Sequence, residues 1–223
     1  MTLKLLDALL PVRCVVCSAG GGKQLCAQCC ATLTRLRPPF CERCGAPTAW
    51  PVARCRECSG RRLAFASARA AVEYDEPVRR LIAAWKERGL RRLAADAAEL
   101  MVVTLPRPRA PLLTFVPPDH DRLRWRGHHP AERLARELGG RWELPIRPLL
   151  RKTRQIPRQR GLPLADRRRN VAGAFAPAAT APTRVALVDD VYTSGATVAA
   201  AASALRKAGA RRVEVLTFAR VVR

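Results

Sequence analysis

Apolar side chains alternate at Ala68, Ala70, Val72 and Tyr74, the period of two that a half-buried strand shows. The period then changes. Val78, Leu81, Ile82 and Trp85 follow at i, i+3, i+4 and i+7, with Pro77 suited to the first helical position and Gly89 to the end, so an amphipathic helix is expected. Arg92–Thr104 reads as a second helix, Leu112–Val116 as a strand, and Pro130–Leu138 as a helix stopped by Gly139-Gly140. Val185–Val188 reads as a buried parallel strand, Ala196–Ala208 as a helix closed by Gly209, and Val213–Val222 as the last strand. Strands alternating with helices imply an α/β domain, a mostly parallel sheet with flanking helices. Arg62–Ala66 reads as a linker. It separates residues 62–223 from a module at 1–61 that is too short for a core of its own and needs a staple.

The cysteines supply that staple. Eight of the nine form four Cys-x-x-Cys pairs: Cys14/Cys17, Cys26/Cys29, Cys41/Cys44 and Cys55/Cys58. Each pair can turn two thiolates toward one tetrahedral zinc, and two pairs close a structural site, so two Zn²⁺ ions are expected. Sequential pairing encloses 8 and 10 residues between the pairs; interleaved pairing satisfies the same geometry. Cys30 is left over as a free thiol. A disulfide framework is the alternative, but no signal peptide is read in the chain and most of its length is cysteine-free. A thioredoxin-like redox site needs a single pair in a βαβ context.

A second constellation follows the strand at 185–188. Asp189 and Asp190 stand at its carboxyl end, then Val191 and Tyr192, then Thr193, Ser194, Gly195, Ala196 and Thr197, where the helix opens. Ligands of open α/β sheets bind outside the carboxyl ends of strands. A hydroxyl-rich loop opening a helix offers N–H groups and a positive dipole end to a phosphate. Paired carboxylates can accept hydrogen bonds from the vicinal hydroxyls of a ribose. The stretch therefore suits a 5-phosphate on a sugar diol; an ordinary strand, turn and capped helix is the plainer alternative. Neither a P-loop nor a Gly-x-Gly-x-x-Gly dinucleotide turn is present.

Net charge is +23, and only five of the 41 basic residues are Lys. Arginine's planar fork suits phosphate, and so positive a field attracts polyanions without sequence preference. An arginine-rich codon bias expressed on solvated faces gives the same composition. With 5% aromatic residues, an extensive base-stacking platform is excluded. Leu3–Leu10, interrupted by Asp7, lacks the basic flank and cleavage site of a leader, and no apolar stretch approaches the ~18 residues of a membrane span. A cytoplasmic protein is expected.

The Asp-Asp loop resembles the signature with which type I phosphoribosyltransferases bind 5-phosphoribosyl 1-diphosphate (PRPP). Four Cys pairs ahead of that loop resemble the ComF family, a double zinc ribbon followed by a phosphoribosyltransferase-like domain. The likeness covers nearly the whole chain. It is carried by the Cys pairs, Tyr74–Lys86, Arg122-Leu123-Arg124-Trp125-Arg126-Gly127, Gln159, Arg169-Asn170 and the Asp-Asp loop. The resemblance implies a PRPP site with Mg²⁺ in which Asp189 and Asp190 act on the ribose and Thr193–Thr197 on the 5-phosphate. It assigns Lys86, Arg126, Gln159, Arg169 and Asn170 to PRPP as well. It places Arg151–Asn170 in a hood that closes over the diphosphate; a disordered segment is the competing reading.

The same resemblance implies a link to DNA uptake in competence, with single-stranded DNA and the DNA-import machinery as partners. The chain is then a phosphoribosyltransferase, or an inactive adaptor that senses nucleotides or handles single-stranded DNA. Two departures from the family pattern stand out. Phe115-Val116-Pro117-Pro118 replaces Pro-Val-Pro after the second strand, and His128-His129 replace an aromatic residue and Asn. With His120 these are all the histidines. They read as surface or phosphate-facing side chains rather than as a metal site.

Overall fold

The computed structural model describes residues 12–118, 127–153, 171 and 173–223. A short helix, α1 (Ala27–Thr32), lies within the cysteine-rich segment. The α/β part follows in the order β1 (Ser67–Glu73), α2 (Glu76–Glu87), α3 (Leu93–Thr104), β2 (Leu113–Phe115), α4 (Pro130–Trp142), β3 (Leu150–Lys152), β4 (Phe175–Pro177), β5 (Arg184–Tyr192), α5 (Ala196–Lys207) and β6 (Arg212–Arg220). Four strands form one sheet in the order β1-β6-β5-β2, and each neighbouring pair runs parallel. The mostly parallel sheet with flanking helices is thus the fold. β3 and β4 form a separate antiparallel pair.

Strand alternation divides the core between the two faces of the sheet. Ala186 and Val188, with Leu216 and Phe218, pack under α2, α3 and α4 around Trp85, Leu93 and Leu134. Val185 and Leu187, with Val213 and Val215, pack against α5 through Val198, Ala201 and Leu205, and against Leu150 and Phe175 of the small hairpin. The two cysteine groups divide in the same way. Cys14, Leu25, Cys29 and Leu33 belong to the first core; Cys41, Cys44, Ala46 and Cys58 belong to the second. The Leu36 N–H donates to Ala71 O at 2.9 Å and the Ala68 N–H to Arg43 O at 2.9 Å, so both halves of the module are tied to β1. A segment too short to bury its own apolar residues completes its core against the larger domain.

Four of the differences from the sequence expectation have a clear local reason. Asp75 caps α2 by accepting the Val78 N–H at 3.1 Å, so Glu76 takes the first helical position and Pro77 the second. Gly139-Gly140 do not stop α4, which runs on to Trp142 and ends at Glu143 with φ 53°. A Cβ at Gly139 would stand 2.5 Å from Ile146 Cδ1, so that glycine permits close packing rather than termination. The segment assigned to the hood does not start as loop, since Leu149 and Leu150 just before it are buried and Leu150–Lys152 pairs with Phe175–Pro177. Three-residue strands, one ending in proline, leave almost no periodic signal. Finally, β5 continues past Val188 to Tyr192, where its pairing with β6 still holds, Tyr192 opposite Arg220.

Candidate functional site

Two cysteine quartets are assembled, Cys14/Cys17/Cys26/Cys29 and Cys41/Cys44/Cys55/Cys58, and within each the Sγ atoms lie within 4.8 Å of one another. The pairing is therefore sequential. In the second quartet Cys41–Cys58 are 3.5 Å apart, Cys44–Cys55 3.4 Å and Cys55–Cys58 3.9 Å. Four sulfurs about 2.3 Å from a tetrahedral Zn²⁺ stand about 3.8 Å from each other, so the groups fit the ion. Backbone N–H groups point at the sulfurs: Cys26 N to Cys14 Sγ at 3.5 Å, Cys29 N to Cys26 Sγ at 3.4 Å and Cys55 N to Cys41 Sγ at 3.2 Å.

Burial opposes ionisation of Cys14, but the N–H groups of Cys26, Cys17 and Val16 outweigh it and hold the thiol at about 6. At Cys41 backbone donors likewise outweigh burial, giving about 7. Burial and the neighbouring thiols push Cys58 up to about 11. Four thiolates crowded this closely need a cation, and zinc supplies it. Cys30 lies outside both quartets, packed beside the first core.

At the other end of β5, Asp189 and Asp190 are part of the strand itself. Alternation sends them to opposite faces. Asp190 joins the face of Ala186 and Val188, where Lys86 Nζ of α2 reaches its Oδ2 at 2.6 Å. Asp189 Oδ1 accepts the Asp190 N–H at 3.0 Å. Burial, and then the Asp190 charge, push the Asp189 carboxyl up to about 7 against the pull of Lys86. Lys86 thus pairs directly with Asp190 and also pulls electrostatically on Asp189.

The loop after Tyr192 is shaped for an anion. Gly195 takes φ 71° immediately before α5, and no side chain caps that helix. The N–H groups of Thr197 and Val198 are left for a ligand, at the positive end of a 12-residue helix. Ser194 is buried, and its Oγ accepts the Ala196 N–H at 3.4 Å. Thr193 and Thr197 are partly exposed beside it.

Lys86, which the resemblance assigns to PRPP, stands against Asp190. Arg126, Gln159, Arg169 and Asn170 lie outside the described residues, as do His120 and most of the segment assigned to the hood. The histidines at 128 and 129 are not surface groups. His128 is buried, with Nε2 2.9 Å from Trp85 O. The His129 side chain is 8% exposed, 3.5 Å from Glu132 and edge-on to Phe115 at 5.3 Å. Burial keeps its imidazole below the ordinary range, against the pull of Glu132 and Asp190.

Sequence reasoning missed the residues behind the loop. Arg61 Nη2 donates to Ser194 O at 2.9 Å. Arg220, 1% exposed, lies over the Tyr192 ring at 4.6 Å. Arg220 carried a signal, a charge inside the apolar run of the last strand; Arg61, in a basic linker, carried none.

Two cysteine quartets seated on an α/β domain with a parallel sheet are the class that this fold and these sites define. Residues 5–59 match the double zinc ribbon domain family. The chain is 29% identical to Competence protein F of Haemophilus influenzae, over 93% of this chain and 96% of that protein. It is 27% identical to the DNA utilization protein YhgH of Salmonella typhimurium, over 86% of this chain and 89% of that one. Among solved structures it is similar to orotate phosphoribosyltransferase from Aeropyrum pernix, with 23% identity over 66% of this chain and 67% of that chain and a TM-score of 0.34. Purine phosphoribosyltransferase from Pyrococcus horikoshii Ot3 shares 19% identity over 61% of this chain and 84% of its own, with a TM-score of 0.30. The double zinc ribbon match and the likeness to Competence protein F over nearly the whole chain support the resemblance to the ComF family.

Proposed function

We propose that residues 62–223 bind PRPP with Mg²⁺ while residues 1–61 form the zinc-stapled module, and that the protein transfers the phosphoribosyl group. One observation carries this reading: the Lys86–Asp190 pair at the end of β5 stands just before a helix N-terminus that no side chain caps. Asp189 and Asp190 accept the ribose hydroxyls, and the loop Thr193–Thr197 holds the 5-phosphate through its N–H groups. Lys86 lies where it can exchange Asp190 for the diphosphate, joined by Arg126, Gln159, Arg169 and Asn170. Bound Mg²⁺ would neutralise diphosphate charge while keeping several waters. Asp189 and Asp190 at the end of β5 are hard oxygen acceptors that fit the waters of such an ion. In the reaction the bond from sugar C1 to diphosphate oxygen breaks with its electron pair leaving on diphosphate. The acceptor's lone pair then bonds to C1 through an oxocarbenium-like state. Cations around the leaving group stabilise the charge that develops there.

A second reading is favoured by charge. Arg62, Arg206 and Lys207 line a cavity of about 480 Å³ with Leu63, Ala64 and Ser203, and no carboxylate is among the lining residues. Such a surface suits a phosphodiester backbone, as in a single-stranded-DNA-handling adaptor of DNA uptake in the cytoplasm. Among the described residues no helix is long and apolar enough to cross a membrane. A ligand panel separates the readings. PRPP with Mg²⁺, ribose 5-phosphate and a short single strand are titrated in turn, and diphosphate release is followed with candidate bases. Saturable PRPP binding supports the first reading; binding to the strand alone leaves only the adaptor.

A further inference from the structure

We infer that the second zinc ribbon is the clamp that sets the phosphate loop, with Arg61 and Arg220 as its positioning residues. The inference rests on reading Thr193–Thr197 as the phosphate loop. Its physical basis is the peptide plane between Ser194 and Gly195. A trans peptide points its C=O and N–H in opposite directions. Arg61 holds the Ser194 carbonyl from the ribbon side at 2.9 Å, so the Gly195 N–H is aimed away from the ribbon. That N–H has no acceptor among the described residues, and it lies in the same turn as the Thr197 and Val198 N–H groups that open α5. Without Arg61 the plane is free to rotate and the donors lose a common focus.

The ribbon fixes Arg61 in turn. Arg61 Nη1 donates to Glu57 O at 3.3 Å, and the Arg61 N–H donates to Cys58 O at 3.2 Å. Both acceptors belong to the Cys55–Cys58 turn of the second quartet. Glu57 also reaches across to the sheet, where its Oε2 lies 2.6 Å from Arg220 Nη2. Arg220 Nη1 donates to Cys44 O at 2.7 Å, and the Arg220 guanidinium covers the Tyr192 ring. Tyr192 closes the circuit, because its hydroxyl fills the space that a Cβ on Gly195 would need. The loop is therefore held twice, by a hydrogen bond to Ser194 and by a ring packed under Gly195. Both holds end on the turns that present Cys44, Cys55 and Cys58. The first ribbon lies on the opposite core and has no such contact among the described residues; Arg80 Nη1 of α2 donates to Val16 O at 3.3 Å.

The test is amide hydrogen exchange on the intact zinc-loaded protein, comparing wild type with Arg61→Met, Arg61→Lys and, as control, Arg80→Met. Arg61→Met should speed exchange at Ala196 and Ala199, whose N–H groups donate to Ser194 Oγ at 3.4 Å and to Gly195 O at 2.9 Å, by roughly tenfold, the worth of one charge-assisted hydrogen bond. Zinc content should stay unchanged, Arg61→Lys should recover part of the protection, and Arg80→Met should leave these residues as in wild type. Unchanged exchange at Ala196 and Ala199 in Arg61→Met, or equal loosening in Arg80→Met, overturns the clamp. PRPP titrations on the same samples separate the two claims. Wild-type protein that ignores PRPP defeats the phosphate reading, while the exchange result still decides whether the ribbon sets the loop.

Discussion

Lys86 Nζ lies 2.6 Å from Asp190 Oδ2, joining the last turn of α2 to the end of β5. The pair is mostly removed from solvent, with side chains 24% and 11% exposed, so it is worth more than a surface ion pair. Lys86→Met should lower stability by about 1–3 kcal/mol, because a carboxylate is left without its donor. Thermal melting measures the loss, and PRPP affinity should fall with it.

Asp189 gives a pH signature of its own. Its carboxyl stands at about 7 in the fold against an ordinary 3.8, chiefly through burial and then the Asp190 charge. From pH about 4 to 7 the folded state holds a proton that the unfolded state has released, so stability falls as pH rises through that window. Asp189→Asn removes the cost. The variant should match wild type near pH 4 and exceed it above pH 7, by about 2–4 kcal/mol. Melting curves at several pH values check the direction; a gap that shrinks with rising pH contradicts it.

The purified protein should carry two zinc ions, with Cys30 the single thiol that reacts freely while metal is bound. Cys55→Ser should release one ion. The second quartet shares its core with β5, β6 and α5, so that loss should also lower the melting temperature of the larger domain. Elemental analysis with thiol titration tests the count; one ion, or oxidised pairs, contradicts it.

What the sequence made legible, and what it hid, divides along physical lines. The amphipathic spacing of Val78, Leu81, Ile82 and Trp85 announced α2 because each of those side chains is buried against one face. The Cys-x-x-Cys spacing announced both quartets, since two ligands on one turn are a local property. Spacing did not show which pairs share a metal, because pairing depends on how the module lies on the sheet. The end of β5 was hidden for a similar reason. Asp189 and Asp190 look like the start of a loop in one dimension, and pairing with Thr217 to Arg220 keeps them in the strand. Arg61 and Ser194 are 133 residues apart, so their contact has no local signature. Gly139-Gly140 misled outright: glycine signals both a helix stop and a close approach, and only the position of Ile146 decides.

If the basic cavity holds a phosphodiester backbone, binding to single strands should weaken steeply with salt and ignore base sequence. Replacing Arg62, Arg206 and Lys207 by Gln together should reduce the salt slope by about two, at ~0.7 per phosphate contact on a single strand. Equilibrium binding from ~50 to ~200 mM salt measures it. An unchanged slope places any DNA contact elsewhere.

The most direct measurement is a calorimetric titration of the zinc-loaded protein with PRPP and Mg²⁺, repeated on the double variant Asp189→Asn, Asp190→Asn. Two carboxylates facing the ribose diol supply charge-assisted hydrogen bonds of ~1.5–3 kcal/mol each. Their joint loss should weaken binding by roughly a hundredfold or more. The double variant must keep its two zinc ions and its cooperative melt for the comparison to count. Saturable binding by wild type, and its collapse in that variant, is the expected result. Wild-type protein that ignores millimolar PRPP, or a double variant that binds it equally well, contradicts the assignment of this loop.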